Sequence, residues 1–198
     1  MCIRHATIFL FAFLLAGCPD RNAGQAARNQ SPEPPAQGAS TMELTTSAFK
    51  PGQPIPRKYT GQGDDVSPPL QIHNVPAAAK QLALICDDPD APTAKPWVHW
   101  LLYNLPPDTT ELPEALPRTP TLDAPAGACQ GKNSWSDDNV GYRGPMPPPG
   151  HGVHHYRFFL YALDEPLDLA PGLTREQLDT ALQGHILAET QLTGTYER

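Results

Sequence analysis

Apolar residues recur in short runs along the chain, and proline and glycine separate these runs from about residue 42 onward. The runs are rich in branched and aromatic residues, which is typical of β-strands. Turn residues between them, without helical periodicity, favour a β-sandwich over alternating strand and helix units. The predicted strands are Met42 to Ala48, Leu70 to His73, Gln81 to Asp87, Val98 to Leu105 and Tyr156 to Asp164.

Two of these strands are almost entirely apolar, from Leu82 to Cys86 and from Phe158 to Ala162. A strand that is covered on both faces shows no polar alternation. We therefore expect these two strands to form the centre of the core.

The one strong helix signal lies near the C-terminus, where Thr174 and Gln177 fit a capping box. Apolar positions at helical spacing follow and predict a stripe that packs against the sheet: Leu178, Ala181, Leu182 and His185-Ile186. Beyond the helix, Gly194, Thr195 and Tyr196 predict an extended end.

Composition narrows the picture further. The 198 residues suit one folded domain, and 25 prolines argue against long helices, because an interior proline costs a helix about 3 kcal/mol. The proline-rich stretch from Pro106 to Gly131 is predicted to be a long surface excursion. The net charge of −7 argues against nucleic acid as a partner, although it leaves room for a small anion in a local pocket.

The N-terminus predicts export and a lipid anchor. The apolar run from Ala6 to Ala16 is shorter than the roughly 20 residues that span a bilayer, and it follows a single Arg4, as in a signal peptide. Leu15-Ala16-Gly17-Cys18 resembles the lipobox of bacterial lipoproteins, in which the cysteine is lipidated. The alternative is a plain N-terminal helix with a stray cysteine.

These features divide the chain into a signal peptide at residues 1–17, a disordered polar tether at 18–41 that starts at lipidated Cys18, and a folded domain at 42–198. The predicted location is the bacterial cell envelope, facing the periplasm or the cell surface. Cys86 and Cys129 remain in the domain, where they can either form a disulfide or stay buried free thiols.

Three segments bring polar side chains next to sharp turns. Asp87 to Pro92 follows a core strand directly. In Pro96 to Trp100, strand alternation predicts that His99 lies on the face opposite Val98 and Trp100. The third segment, Gly141 to Tyr156, leads into an apolar strand.

The order and spacing of the motifs D-P-D-A-P, V-H-W, G-Y-R-G-P-M-P-P-P-G-H and L-Y-A-L-D resemble the bacterial branch of the phosphatidylethanolamine-binding proteins. Eukaryotic members of that family include Raf kinase inhibitor protein. The resemblance covers roughly residues 43 to 198. It implies a β-sandwich with Greek-key connections, a large and a smaller antiparallel sheet and one C-terminal helix. It departs from the family pattern where His155 replaces an arginine and Met146 replaces a cysteine.

The resemblance also implies a small pocket at one end of the large sheet that binds phosphate, phosphorylethanolamine or acetate, with no cofactor and no metal. The implied ligand-binding residues are Asp88, His99, His154 and Tyr156, with Pro147-Pro148 and Gly150 as the rim.

The chemistry of these residue types is consistent with an anion. Imidazole N–H groups of His99 and His154 and the Tyr156 hydroxyl can donate to phosphate oxygens, and backbone amides of the glycine-rich turn can add donors. The Asp88 carboxylate can hold a neighbouring histidine in its donating tautomer and favour its protonated form. We therefore expect affinity to rise as the pH falls through the histidine range. His151 and His155 are further candidates for the site. Asp87 and Asp90 either belong to it or only cap the turn and hold loop amides, and Trp97 and Trp100 either pack or line the rim.

Three functions compete. Non-catalytic binding of a small anion follows most directly from these residues, and the alternative is an interaction module that inhibits a protease or kinase-like target through the pocket rim. No protein target can be named from the sequence. An enzyme is disfavoured because no G-x-S-x-G elbow occurs. A zinc site at His151, His154 and His155 is disfavoured because adjacent strand residues point to opposite faces.

Overall fold

The structure is a computed structural model that describes residues 41–136 and 138–198. The predicted signal peptide, Cys18 and all but the last residue of the predicted tether lie outside the described residues.

Two antiparallel sheets and one helix make up the described part of the chain, which confirms the predicted mainly β fold with a larger and a smaller sheet. The small sheet has the order β1-β2-β5 and the large sheet the order β6-β4-β3-β7-β8. The bounds are β1 Glu43–Thr45, β2 Leu70–His73, β3 Gln81–Asp88, β4 Trp97–Leu105, β5 Glu111–Leu112, β6 Cys129–Gln130, β7 His154–Leu163, α1 Arg175–Leu182 and β8 Ile186–Tyr196, with a 3₁₀ turn at Arg57–Tyr59.

The large sheet lies between two apolar layers, which explains why β3 shows no polar alternation. Leu82 and Leu84 pack toward the small sheet, while Ala83 and Ile85 pack toward α1. All eight residues of β3 are buried. Full burial of each such aliphatic side chain contributes about 1.5–3 kcal/mol, so this strand anchors both halves of the core.

The helix begins at the predicted capping box. The Thr174 hydroxyl accepts the N–H of Gln177, and the Gln177 side chain accepts the N–H of Thr174. Leu178 and Leu182 are its buried residues. No helix among residues 41–136 and 138–198 is long and apolar enough to cross a membrane.

Electrostatic contacts also attach the helix to the sheet. Arg175 at the start of α1 and Arg157 on β7 both donate to the Asp87 carboxylate, at 2.9 and 2.8 Å. The Asp87 side chain is 1% exposed, whereas the two guanidinium groups keep partial access to water. Asp87 therefore links β3, β7 and α1 on the helix side of the sheet.

Three details of the predicted secondary structure are wrong. Strand β1 ends at Thr45 rather than Ala48, and the stretch from Pro106 to Gly131 contains two short strands, β5 and β6. These strands exist because β5 pairs with β2 and β6 with β4, and two-residue strands carry no periodicity of their own. The predicted apolar stripe of the helix stops at Leu182, since Ile186 starts β8 and is 45% exposed.

Strand β8 is much longer than the predicted extended end. It pairs with β7 over its whole length, and within this pairing Gly194 lies opposite Tyr156. A Cβ atom at Gly194 would come within 2.5 Å of the Ile55 side chain, so the close approach requires glycine.

Cys86 and Cys129 are both buried free thiols. Cys86 packs between the two sheets and Cys129 packs on the helix side. The thiols therefore lie on opposite sides of the large sheet, and the open question of a disulfide is answered in favour of two free cysteines.

Candidate functional site

A pocket of about 220 Å³ opens where the C-terminal end of β3 and the N-terminal ends of β4 and β7 meet. Six of the seven residues predicted for the site and its rim line this pocket: Asp88, His99, Pro147, Pro148, His154 and Tyr156. The fold thus brings together side chains from three strands and one proline-rich loop.

Asp88 and His154 form a buried pair in this pocket. His154 Nδ1 donates to Asp88 Oδ2 at 2.8 Å, and the two side chains are only 2% and 5% exposed. The other carboxylate oxygen, Oδ1, accepts the N–H of Asp90 at 2.9 Å, which closes the turn after β3. Because Asp88 is held by this turn, it fixes the orientation of the His154 ring.

A β-bulge in β4 determines where His99 lies. Cys86 pairs with Trp100 but Asp87 pairs with Val98, so His99 is the extra residue of the bulge. Val98 consequently packs on the helix side of the sheet, while Trp100 packs between the sheets. The prediction that Val98 and Trp100 share a face is wrong, because an inserted residue breaks the alternation.

The His99 ring donates its Nδ1 proton to the carbonyl oxygen of Arg143, at a distance of 2.6 Å. A carbonyl can only accept, so the proton lies on Nδ1 and the neutral ring has a lone pair on Nε2. Burial lowers the pKa of His99 to about 4, against opposing effects of the Arg143 carbonyl and nearby carboxylates. At neutral pH His99 is therefore not the donor that we expected, and it does not contribute to pH dependence between pH 6 and 8.

The loop at Arg143 is held firmly in place. The N–H of Gly144 donates to Asp65 Oδ1 at 2.7 Å, and the N–H of Arg143 donates to the His99 carbonyl at 2.9 Å. A Cβ atom on Gly144 would come within 2.2 Å of the Tyr59 carbonyl oxygen. The glycine of the G-Y-R-G motif thus allows the close packing that positions the Arg143 carbonyl.

The Tyr156 hydroxyl is a buried polar group without a hydrogen-bond partner among the described residues. Tyr156 is 1% exposed and lines the pocket. Burial, and secondarily the charge and acceptor oxygens of the nearby Asp88 carboxylate, raise its pKa, so the phenol keeps its proton; the hydroxyl nevertheless makes no hydrogen bond of normal geometry to Asp88. An unsatisfied buried hydroxyl costs about 1–3 kcal/mol, and a pocket ligand that accepts its proton would recover this cost.

Residues 45–197 match the sequence profile named phosphatidylethanolamine-binding protein. The chain belongs to this family. A protein named UPF0098 from Methanothermobacter thermautotrophicus is 50% identical over 157 residues, which cover 79% of this chain and 99% of that protein. A UPF0098 protein from Pyrococcus abyssi is 45% identical over 161 residues, 81% of this chain and 88% of the other.

Two solved structures of the family share the fold. A phosphatidylethanolamine-binding protein homolog from Chlamydia trachomatis superposes with a TM-score of 0.70 at 42% identity, over 80% of this chain and 98% of that one. Escherichia coli YbcL, titled a new member of the mammalian family, gives 0.73 at 31% identity, over 80% and 99%. Because the matched region makes up nearly all of these two solved chains, we expect residues 41–198 to fold on their own.

Other predicted residues of this family member lie outside the pocket lining. Gly150 is not part of the lining, and its N–H donates to the carbonyl of Arg198 at 3.1 Å, so this amide of the turn is not a free donor. His155 is exposed and bonds to Asp90 on the surface. Trp100 is a core residue whose indole N–H donates to Gln130.

Trp97 and Trp135 supply the aromatic wall of the pocket, with ring centroids 5.6 Å apart. Trp97 was predicted either to pack or to line the rim, and it lines the pocket, whereas Trp135 was not predicted. A lone tryptophan in the polar loop at residues 132–139 was the available signal. The Arg143 guanidinium covers the Trp135 ring at 5.4 Å.

Within the described residues, no three His, Cys, Asp or Glu side chains are grouped to hold a metal ion.

Proposed function

We propose that this chain is a non-catalytic binding protein for a small phosphate-type anion. The observation that carries the proposal is the buried, unpaired hydroxyl of Tyr156 in a pocket shared with His99 and the Asp88–His154 pair. A protein interior rarely keeps a polar group without a partner, so the vacant bond supports a ligand oxygen at this position.

Titration calorimetry with inorganic phosphate tests the proposal on residues 41–198, with a Tyr156→Phe variant. We expect saturable binding by the wild type and a loss of affinity of about 10-fold or more in the variant, because a hydrogen bond to a charged group contributes about 1.5–3 kcal/mol. The same variant should keep or gain stability, since it removes a hydroxyl that has no partner in the unliganded pocket.

Tyr161→Phe is the matched control. Tyr161 lies on the same strand but faces the helix side, and it does not line the pocket. We expect this variant to bind phosphate as the wild type does. Equal affinities of the wild type and Tyr156→Phe would contradict the proposed role of the hydroxyl, and no binding by the folded domain would reject the proposed function.

The proposal includes a location, the bacterial envelope, with the domain tethered through lipidated Cys18. Its support is the short apolar run that ends in Leu15-Ala16-Gly17-Cys18. The full chain should incorporate labelled palmitate and partition into detergent, and a Cys18→Ser variant should do neither. Labelling of the variant at the wild-type level would contradict the anchor.

A second candidate function is a protein-interaction module that acts through the pocket rim. Met146 lines the pocket and is 39% exposed, so the rim offers an apolar side chain to a protein partner. This candidate becomes the better one if the folded domain binds none of the tested anions.

A further inference from the structure

His99 presents a hydrogen-bond acceptor to the pocket, because the neutral ring has a single N–H and the Arg143 carbonyl already accepts it. Nδ1 donates to the Arg143 carbonyl, and Nε2 makes no hydrogen bond to any residue that the structure describes. The rings of Trp135 and Tyr156 stand edge to face against the imidazole, with centroids 4.9 and 5.0 Å away. The Nδ1 hydrogen bond fixes which ring nitrogen meets the Arg143 carbonyl, and these contacts restrict the tilt of the ring, so Nε2 is the nitrogen left for a pocket ligand.

The charged and titratable groups around His99 do not supply a compensating partner. On β3, Asp88 is bonded to His154, and Asp87 lies on the opposite face with two arginines. Asp65 is ion-paired with Arg118 and with Arg143, and it accepts the Gly144 amide. Tyr156 on β7 is a phenol that keeps its proton. The contact at Nδ1 is a neutral carbonyl, which does not balance a positive imidazole, and burial keeps the pKa of His99 at about 4.

We propose that the pocket selects a phosphate-type anion that still carries an acidic hydroxyl, and that this hydroxyl donates a hydrogen bond to Nε2 of His99. The inference rests on the proposed function and names its ligand class. Inorganic phosphate and protonated phosphate monoesters belong to the class, whereas sulfate and phosphodiesters do not.

The two neighbouring groups have opposite hydrogen-bonding roles, and only such a ligand satisfies both. Tyr156 donates to an ionised oxygen of the ligand, while His99 accepts from its P–OH group. An anion without a hydroxyl would place an oxygen lone pair against the Nε2 lone pair and, once it covered this nitrogen, would leave it without a donor.

Two matched ligand pairs test this in calorimetric titrations of residues 41–198. Phosphate and sulfate at pH 7.5 are both tetrahedral and mainly dianionic, but only phosphate carries a proton. Methyl phosphate and dimethyl phosphate at pH 5.5 are both monoanions, since the second pKa of a monoester is about 6. We expect the ligand with the hydroxyl to bind on the order of 10- to 100-fold more tightly in each pair.

The second pair also distinguishes a free phosphate compound from a lipid head group, because the phosphate of a phospholipid such as phosphatidylethanolamine is a diester. We expect glycerophosphorylethanolamine, a diester, to bind as weakly as dimethyl phosphate, and phosphorylethanolamine at pH 5.5 to bind as methyl phosphate does.

A His99→Gln variant tests the assignment to this ring, because the Gln amide can turn an N–H toward the ligand. The phosphate-to-sulfate affinity ratio should fall to within about threefold of unity, while a His155→Gln control on the surface should keep the wild-type ratio. If His99→Gln does not fold, the wild-type ligand pairs still decide. Equal binding within each pair would overturn the inference and leave the proposed function intact, whereas no binding of any anion would overturn both.

Discussion

Burial of His99 should make the stability of the domain depend on pH in the acid range. Burial lowers the pKa of His99 from an ordinary value of 6.5 to about 4 in the folded state. In the unfolded chain the ring returns to its ordinary pKa. Between these two values the unfolded state binds a proton that the folded state does not, so acidification favours unfolding. Protonation of His99 therefore does not reduce the free energy of unfolding above about pH 6.5, and it reduces this free energy progressively as the pH falls toward 4.

The size of this effect follows from the pKa difference. Each pKa unit corresponds to about 1.4 kcal/mol, so the whole pKa difference between the folded and unfolded states corresponds to about 3 kcal/mol of unfolding free energy. About 2–3 kcal/mol of this is lost by pH 4.5. That is a large share of the roughly 5–15 kcal/mol by which typical domains are stable.

Urea denaturation of residues 41–198 at pH 7 and pH 4.5 measures the effect in the wild type and in His99→Gln, which has no titratable ring. Carboxylates also titrate in this range, so the informative quantity is the difference in unfolding free energy between wild type and variant. We expect this difference to shrink by about 2–3 kcal/mol on acidification. A His73→Gln control reports the contribution of an exposed imidazole. If wild type and His99→Gln lose stability in parallel, burial does not keep His99 neutral and the reasoning is refuted.

Three substitutions test other contacts, each by urea denaturation. Asp87→Asn should lower the free energy of unfolding by about 2–3 kcal/mol, because it leaves two guanidinium groups without their buried carboxylate. Asp179→Asn on the exposed side of α1 should cost no more than about 0.5 kcal/mol. Similar losses in the two variants would show that the buried pairing contributes little. Gly144→Ala should cost more than Gly172→Ala, because it drives a Cβ atom into a backbone carbonyl, whereas Gly172→Ala meets no atom and carries only the strain of a φ of +80°, about 1–2 kcal/mol. The reverse order would contradict the packing at the Gly144 loop. Thr174→Ala should cost about 1 kcal/mol through loss of the helix cap, and an unchanged midpoint would contradict the capping box.

Much of the fold could be predicted because its signals are local. The core strands β2, β3, β4 and β7 and the cap of α1 were predicted to within about two residues, since side-chain patterns and capping residues act over a few positions. The short strands β5 and β6 and most of β8 could not be predicted. They are defined by pairing with strands distant in sequence, and pairing leaves no periodicity in two residues.

For the candidate site, the sequence by itself determined which side chains are available: Asp88, His99, His154 and Tyr156 stand beside turns at strand ends. Only the tertiary structure decided what each of them can do. The proton of His99 is assigned by a backbone carbonyl 44 residues away, and His154 is oriented by a carboxylate 66 residues away. A neutral imidazole donates or accepts according to its partner, and that partner is set by packing across the sheet rather than by neighbours along the chain.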